Sequence, residues 1–223
     1  MKLFVDSANL AEIEQCLARG FVRGITTNPS ILAKEERGDF AEHIHAIIKL
    51  IRQTGTDIPL SVEVFVEDPA EMLDQAIKFV SGFDYPKLSV KIPIGWNELT
   101  VIAALRARGV SVNCTCCMSF NQAYMAALAG ANYVSLFYGR IRDIGYDARA
   151  VVEQTIRAFR AGGIQSEVIV GSIRHIYDIN EAFAAGADIV TVPPKFFPPL
   201  TAHPKTTEAV QQFLSDFRGW SKG

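Results

Sequence analysis

Lys91 lies in the middle of an apolar run with the composition of a buried strand, residues 87–93. An ammonium group is costly to remove from water, so a lysine at this position must lose its proton, pair with an acid or take part in chemistry. A desolvated, uncharged amine is the nucleophile that attacks a ketone to form a Schiff base. The structural alternative is a lysine at a strand end that reaches water or a neighbouring acid. The choice between them depends on which residues the fold brings to Lys91.

The elements that position Lys91 alternate between short β-rich runs and amphipathic helices, which is typical of βα units and a parallel sheet. Eight strands are predicted, at residues 2–6, 24–28, 60–65, 87–93, 110–116, 133–138, 167–173 and 188–193. Eight such units in 223 residues predict a (β/α)8 TIM barrel of the α/β class, with a single domain over residues 1–223. The main rival is a doubly wound open sheet, which usually has fewer strands and a glycine-rich first turn. Asp6-Ser7-Ala8-Asn9 supplies no such turn.

Polar side chains dominate the positions that face the inside of the predicted barrel. Successive side chains of a strand point to opposite faces, so Val90 and Ile92 face the helices and Lys91 faces inward. The same alternation places inward Asp6, Thr26, Asn28, Ser61, Glu63, Ser89, Asn113, Thr115, Ser135, Phe137 and Ser172. Barrel interiors are normally filled by branched apolar side chains, and the active sites of this fold lie at the carboxyl ends of the strands. The convergence predicts an enzyme instead of an inert scaffold.

Two arginines follow late strands of the predicted barrel. Arg140 comes after the sixth strand and Arg174 after the seventh. The late βα loops of barrels commonly bind phosphate, and a guanidinium group binds it through two parallel hydrogen bonds. The alternative is that each arginine pairs with a nearby acid, Asp143 or Asp178. Their joint position beside an inward lysine favours a phosphorylated substrate.

Composition and motif content argue against several classes of function. A formal net charge of -2 and a pI near 6.1 give no basic surface for nucleic acid. No apolar stretch is long enough to span a bilayer, and the N-terminus lacks a signal-peptide pattern, so we expect no membrane association and a cytoplasmic location. The histidines have no ligand-like spacing, and no P-loop or dinucleotide motif occurs. We therefore expect no metal and no other cofactor.

Cys114 and Cys117 form a C-x-x-C pattern, which occurs in redox and metal sites. Here the pattern begins inside a predicted strand, whereas a redox pair lies at the start of a helix. A structural zinc site needs four ligands, and no second pair is present. The two cysteines are therefore predicted to be structural.

Five short motifs occur in order along the chain: Val5-Asp6-Ser7-Ala8-Asn9, Gly24-Ile25-Thr26-Thr27-Asn28-Pro29-Ser30, Val90-Lys91-Ile92-Pro93, Asn113-Cys114-Thr115 and His203-Pro204-Lys205-Thr206. Together they resemble the small transaldolase family, which includes small microbial transaldolases and fructose-6-phosphate aldolases. The resemblance runs from near residue 2 to near residue 220. It implies a transferase of pentose phosphate and carbohydrate metabolism that moves a dihydroxyacetone unit from a ketose phosphate to an aldose phosphate. Sugar phosphates are then its partners.

The resemblance assigns a role to each candidate site residue. Lys91 matches the Schiff-base lysine and Asp6 the general acid/base, while Glu63 and Thr115 match a pair that holds a catalytic water. Asn28 and Asn113 match residues that bind the dihydroxyacetone hydroxyls, and Arg140 and Arg174 match the phosphate-binding pair. The further substrate contacts are Thr26, Ser135, Phe137 and Ser172.

Two positions separate the branches of the family. The aldolases resemble one another in having glutamine in place of Glu63 and tyrosine in place of Phe137, so both residues here favour transaldolase. The chain departs from the family pattern after Lys-Ile-Pro, where Ile94-Gly95-Trp96 follows. A specialised transaldolase that makes a longer-chain sugar phosphate is compatible with this departure. Two alternatives stay open, a fructose-6-phosphate aldolase-like lyase and a non-catalytic sugar-phosphate-binding barrel.

The C-terminal segment is predicted to form an additional helix. Over residues 207–220, an apolar stripe recurs at helical spacing and consists of Val210, Phe213, Leu214 and Phe217. Only the chain's own barrel or a neighbouring subunit is available to cover this stripe. Small transaldolases resemble one another in forming pentameric rings and decamers with this helix reaching a neighbour, which implies a homo-oligomer.

Overall fold

Eight parallel strands form a closed barrel in the computed structural model, which describes residues 1–221. In chain order they are β1 (Lys2–Asp6), β2 (Ile25–Thr26), β3 (Leu60–Glu63), β4 (Leu88–Pro93), β5 (Ser111–Cys117), β6 (Tyr133–Phe137), β7 (Glu167–Gly171) and β8 (Ile189–Val192). The predicted (β/α)8 barrel is confirmed. The open sheet is excluded, because β8 pairs with β1 and closes the ring. All strand ends lie within two residues of their predicted positions.

The helices alternate with the strands and cover the outside of the barrel. They are α1 (Leu10–Leu17), α2 (Pro29–Leu32), α3 (Phe40–Gln53), α4 (Pro69–Phe83), α5 (Glu98–Ala107), α6 (Phe120–Leu128), α7 (Tyr138–Asp143), α8 (Ala148–Ala161), α9 (Ile176–Ala184), α10 (Phe197–Thr201) and α11 (Pro204–Trp220). Asp39 and Asp68 accept backbone hydrogen bonds at the starts of α3 and α4, as expected for N-caps. Two short helices, α2 and α7, follow β2 and β6 directly and were not predicted.

The barrel has two apolar layers with different roles. Outward side chains such as Val62, Val90 and Val112 are fully buried against the surrounding helices. Inside the barrel, below the carboxyl ends of the strands, Phe4 packs with Ile169 and Ile189 in a separate buried cluster. These apolar side chains fill the bottom of the interior and leave its top to polar groups.

Gly24 makes room for the ring of Phe4. A Cβ atom on Gly24 would lie 2.4 Å from Cζ of Phe4, closer than real Cβ contacts allow. Burying a phenylalanine side chain stabilises a fold by about 1.5–3 kcal/mol. The glycine is therefore required for packing at the bottom of the barrel.

The C-terminal helix α11 carries its apolar stripe on an exposed surface. All residues from 201 to 221 are exposed in the chain, and the side chains of Phe213, Phe217 and Trp220 are 69%, 63% and 78% exposed. The chain's own barrel therefore leaves the stripe uncovered. None of the helices within residues 1–221 combines the length and the hydropathy needed to cross a lipid bilayer.

Candidate active site

A cavity of about 440 Å³ opens at the carboxyl ends of the strands. Nine of the predicted site residues line it: Asp6, Thr26, Asn28, Glu63, Lys91, Ser135, Phe137, Arg140 and Ser172. A larger groove of about 620 Å³ lies at the opposite end of the barrel, beside Leu17, Val22 and Ile58, and includes none of these residues. We take the smaller cavity as the candidate site because the titratable side chains converge there.

Lys91 is held inside the barrel by two partners. β4 directs its side chain into the interior, where only 5% of it is exposed. Its ammonium nitrogen lies 2.8 Å from Oε2 of Glu63 and donates to the carbonyl oxygen of Thr27 at 2.8 Å. Glu63 and Lys91 are in register on the adjacent strands β3 and β4, so the sheet itself brings them together. A buried charge needs such partners, because desolvation alone disfavours it.

Asp6 provides a second carboxyl group in the same cavity. Burial raises the pKa of this carboxyl, while the charge of Lys91 and a hydrogen bond from Thr26 oppose the rise. The hydroxyl of Thr26 donates to Oδ1 of Asp6 at 2.7 Å. A carboxyl group with a raised pKa can accept and return a proton during catalysis.

Asn113 and Thr115 do not line the cavity, and neither do the inward residues Ser61 and Ser89. Asn113 lies in register with Lys91 on β5 and is fully buried. Its amide nitrogen donates to Ser61 at 3.2 Å, and its carbonyl oxygen accepts from Ser135 at 2.7 Å. The hydroxyl oxygen of Thr115 is buried and has no hydrogen-bond partner in the described part of the chain. A buried hydroxyl group without a hydrogen-bond partner costs free energy, so this position favours the binding of a polar partner.

The two predicted phosphate-binding arginines differ in their surroundings. Arg140, at the start of α7, lines the cavity with its guanidinium carbon 5.7 Å from the ring centroid of Phe137. Arg174 lies outside the cavity lining and donates two hydrogen bonds to the carboxylate of Asp143. The sequence left open that an arginine here would pair with an acid, and Arg174 does so. Asp178 accepts from the side chain of Arg142 and, at 2.9 Å, from the backbone N–H of Arg174, but not from the guanidinium group of Arg174.

A bulge in β5 turns a cysteine toward the cavity. The pairing of β5 with β6 shifts register between Cys114 and Cys117, and Cys116 has a φ of 61°, in the left-handed region. Cys114 and Cys117 are both buried within the strand, as expected, with their sulfur atoms 4.0 Å apart. Cys116 lines the cavity, and burial raises the pKa of its thiol. The thiol form therefore predominates at neutral pH.

Ser172 reaches the cavity by a different route from the one predicted. The sequence places it as an inward residue of a strand that extends to residue 173, but β7 ends at Gly171. Gly171 is the residue paired with the inward Phe137. Ser172 lines the cavity with a φ of 58°, so a left-handed backbone conformation, not strand alternation, accounts for its position. Left-handed non-glycine residues of this kind cluster at functional sites.

Seven residues of the cavity lining were not predicted as site residues from the sequence: Pro29, Ser30, Ile31, Lys34, Cys116, Gly171 and Thr191. Thr191 is an inward residue of β8, and the alternation applied to the other strands would have found it. Lys34 follows the unpredicted helix α2. Cys116 reaches the cavity because of the bulge in β5, and β5 contains no glycine that would have indicated a bulge from the sequence.

A scan against protein-family models matches residues 3–221 to the family described as transaldolase/fructose-6-phosphate aldolase. A protein named "Probable transaldolase" from Dehalococcoides mccartyi is 37% identical over 222 residues and is covered completely, as is this chain. A protein named "Probable transaldolase 1" from Listeria monocytogenes is 39% identical, also with complete coverage of both chains. A "Probable transaldolase" from Methanococcus maripaludis is 39% identical over 97% of each chain.

Solved structures with low sequence identity share the fold. A thiamine phosphate pyrophosphorylase from Pyrococcus furiosus superposes with a TM-score of 0.62 at 14% identity, over 86% of this chain and 85% of that one. A mandelate oxidase variant superposes with a TM-score of 0.60 at 14% identity, over 86% of this chain and 65% of that one. At this identity the similarity supports the barrel alone.

Proposed function

Because the chain belongs to the transaldolase/fructose-6-phosphate aldolase family, we propose that it is a transaldolase with a Schiff-base mechanism. It transfers a dihydroxyacetone unit from a ketose phosphate to an aldose phosphate. The observation that carries this proposal is the position of Lys91, a buried lysine 2.8 Å from Glu63 in a cavity that also contains Asp6. A scaffold protein has no need to bury a lysine between two carboxyl groups at the open end of a barrel.

Glu63 is the group that prepares Lys91 for attack. An ammonium nitrogen has no lone pair, so Lys91 must give up a proton before it can add to the ketose carbonyl. The carboxylate 2.8 Å away is within the distance required for direct proton transfer. The free amine then adds to C2 of the donor, water leaves, and a protonated iminium forms. The unpartnered hydroxyl of Thr115 supports its proposed role as a ligand for the water of this step.

Asp6 acts on the hydroxyl group of the bond that breaks. As the C3–C4 bond of the donor cleaves, Asp6 accepts the proton of the C4 hydroxyl and the iminium takes up the electron pair as an enamine. The first aldehyde leaves. When the acceptor aldehyde arrives, the enamine attacks it and Asp6 returns the proton to the new hydroxyl.

Arg140 is the proposed phosphate ligand of both aldehydes. It lines the cavity and has no ion-pair partner within residues 1–221, so its guanidinium donors are available to an anion. Arg174 reaches phosphate only if it exchanges Asp143 for the substrate. The remaining candidate residues are proposed to contact or support the dihydroxyacetone unit: Thr26, Asn28, Asn113, Ser135, Phe137 and Ser172. Of these, Asn113 is placed to act through Ser135, because their side chains are hydrogen-bonded.

The family also contains lyases, and Glu63 and Phe137 are the residues on which the choice of transferase rests. Trp96, in the segment that departs from the family pattern, is 81% exposed and lies outside the cavity lining. It therefore contributes nothing to the inner site of a single chain, and any effect of Trp96 on the choice of sugar acts at the rim. A specialised transaldolase that makes a longer-chain product is compatible with this open rim.

A cytoplasmic location and a homo-oligomer, a pentamer or decamer, belong to the same proposal. The exposed stripe on α11 supports the oligomer, because a chain that leaves Phe213 and Phe217 in water gains by covering them with a neighbour.

Borohydride reduction in the presence of fructose 6-phosphate tests the mechanism. A covalent adduct on the peptide that contains Lys91 is expected in the wild type and is expected to be absent in Lys91→Met. Lys87→Met, at an exposed lysine just before the same strand, is the matched control and should trap normally. Binding of the ketose phosphate without any adduct would indicate a non-catalytic barrel.

A screen of ketose donors against aldose acceptors tests the reaction type. Dependence of donor consumption on the acceptor is expected for a transaldolase. Release of free dihydroxyacetone at the same rate without an acceptor would indicate a lyase.

A further inference from the structure

Thr191 is a buried polar residue of the barrel interior that the mechanism described so far does not use. It lies on β8, faces inward and lines the cavity. Its hydroxyl oxygen is 2.6 Å from the hydroxyl oxygen of Thr26, which is 2.7 Å from Oδ1 of Asp6. Because β8 and β2 are the two neighbours of β1, the threonines flank the strand that carries Asp6. The three side chains form a continuous chain of hydrogen bonds.

The hydrogen-bond chain has a single direction when Asp6 is ionised. A carboxylate only accepts hydrogen bonds, so the one hydroxyl proton of Thr26 is used on Asp6. Thr26 must then accept in its contact with the other threonine, and Thr191 is the donor. Successive hydrogen bonds in one direction polarise one another, so donation by Thr191 strengthens the bond that reaches the carboxylate.

Packing holds Thr191 in the rotamer that this chain of hydrogen bonds requires. A Cβ atom built on Gly171, on the neighbouring strand β7, would lie 3.2 Å from Cγ2 of Thr191. The methyl group therefore occupies the side of Gly171, and the hydroxyl group is directed toward Thr26. β-branched side chains are stiff about χ1, so this orientation is well defined.

We propose that Thr191 is a positioning residue for Asp6: by donating to Thr26 it keeps the Asp6 carboxylate ionised and in one orientation. Its consequence for the rate rests on the proposed function, in which Asp6 must begin as the base. Burial works against that state, since it raises the pKa of Asp6. Lys91 and Lys34 favour the ionised carboxylate and Glu63 opposes it.

The charged groups around Asp6 are unchanged when only Thr191 is altered. Glu12, Glu35 and Lys195 line an adjoining pocket together with Asp6 and Lys34. A difference between the wild type and a Thr191 variant is therefore assigned to the hydroxyl group.

Thr191→Val removes the hydroxyl group and keeps the shape of the side chain. We expect the pKa of Asp6 to rise by about half a unit, a threefold change in its ionisation equilibrium. The acidic limb of the pH profile of kcat should move to higher pH by the same amount. kcat should fall about two- to tenfold, the effect expected for one hydrogen bond, while KM for the donor stays within about twofold. Thr191→Ser, which keeps the hydroxyl group, should restore the wild-type profile.

Ser89→Ala is the matched control. Ser89 is equally buried and bonded to Ser111 inside the barrel, but it is not part of the cavity lining. Its loss should leave the pH profile in place. If Thr191→Val does not fold, Thr191→Ala carries the same test.

A direct titration of Asp6 separates this proposal from the proposed function. Isotope-edited infrared spectroscopy on protein with ¹³C-labelled aspartate, with the Asp6 band assigned by Asp6→Asn, requires no turnover. If the wild type is inactive but the midpoint of the Asp6 titration is higher in Thr191→Val than in the wild type, the transaldolase is rejected and the positioning role is retained. An equal titration midpoint of Asp6 in the variant and the wild type would overturn the positioning role. So would a rise in KM with no change in the pH profile of kcat.

Discussion

Lys91 and Glu63 occupy paired positions on adjacent strands, and the ammonium nitrogen of one lies 2.8 Å from a carboxylate oxygen of the other. The backbone register of β3 and β4 fixes this distance, so the pair does not depend on a flexible loop. The same carboxylate therefore compensates the buried charge of Lys91 and lies close enough to accept its proton. A change at Glu63 acts on both functions at once.

Glu63→Gln should lower transfer activity and raise the ratio of lyase to transferase activity. The amide keeps the shape and a hydrogen-bonding group but no longer titrates, so proton movement around the imine slows. Phe137→Tyr should act in the same direction, because it adds a phenolic proton donor to the cavity wall. Assays of free dihydroxyacetone against the transfer product measure the ratio. Glu67→Gln, an exposed acid after the same strand, is the control. An unchanged ratio in both single variants and in the double variant would return weight to the lyase.

Arg140→Ala should weaken the binding of phosphorylated substrates far more than that of unphosphorylated ones. A hydrogen bond to a charged group contributes about 1.5–3 kcal/mol, which is about tenfold to a hundredfold in affinity. Arg174→Ala should have a smaller effect, because Asp143 already engages that guanidinium group. Isothermal titration with paired phosphorylated and unphosphorylated ketoses checks both. Arg149→Ala, in an exposed pair with Glu153, should change neither. Equal losses for both ligand types would make Arg140 a structural residue.

Asp6→Asn should stabilise the fold near neutral pH while abolishing turnover. Burial raises the pKa of Asp6 above 3.8, so the native state binds this proton more tightly than the unfolded chain. Stability is therefore lost as the pH rises through the folded-state pKa, and this loss is absent below about 3.8. The variant should have a higher Tm than the wild type at pH 7, and this difference in Tm should become smaller toward pH 4. Each kcal/mol corresponds to about 2–4 °C in a chain of this size. A difference in Tm that grows as the pH is lowered would show that ionised Asp6 stabilises the fold, which contradicts this prediction.

Gly24→Ala should destabilise the barrel by about 1–3 kcal/mol through a clash with the ring of Phe4. Phe4→Leu in the same chain should recover part of this loss, because the shorter side chain leaves space for the new methyl group. Gly82→Ala is the control, since its added methyl group meets no atom within 4 Å, and it should be neutral or stabilising. Urea unfolding at one fixed protein concentration compares the variants. Additive losses in the double variant would show that Phe4 does not account for the cost.

Phe213→Glu combined with Phe217→Glu should reduce the native mass, because it places charge on the exposed stripe of α11. Both side chains are exposed in the single chain, so the monomer itself should keep its fold. Native mass spectrometry gives the state of assembly. Gln211→Glu with Ser215→Glu adds the same charge to the same helix and should leave the assembly intact. Truncation after Lys205 with an unchanged number of subunits in the assembly would exclude α11 as the joining element.

Strand alternation was enough to predict the barrel and the inward side chains that carry the proposed chemistry. Short apolar runs with a period of two predicted β1 to β8, and the same period placed Asp6, Glu63 and Lys91 on one inner surface. The remainder depends on geometry that a local pattern does not carry. α2 and α7 span only four and six residues, too short for a helical period, and they position Asn28 and Arg140.

Residue type alone also does not predict left-handed backbone conformations or ion pairs between residues far apart in the chain. Cys116 and Ser172 adopt positive φ values without being glycine, so nothing in their identity predicts the bulge or the early end of β7. The pairing of Arg174 with Asp143 depends on the position of the loop after β7 relative to the end of α7, and the two residues are 31 positions apart in the chain. The roles of the site residues in turnover stay predictions that the variants above will decide.

The apolar cluster of Phe4, Ile169 and Ile189 closes the barrel beneath Lys91. With the lower end filled, molecules reach Lys91 through the cavity at the carboxyl ends of the strands. In the proposed transaldolase reaction the first aldehyde would occupy the route of the second, so its departure would precede the arrival of the acceptor. The proposed reaction would then alternate between two forms of the protein, one carrying the three-carbon fragment and one without it. A filled core would thereby impose an order of events on the proposed chemistry above it.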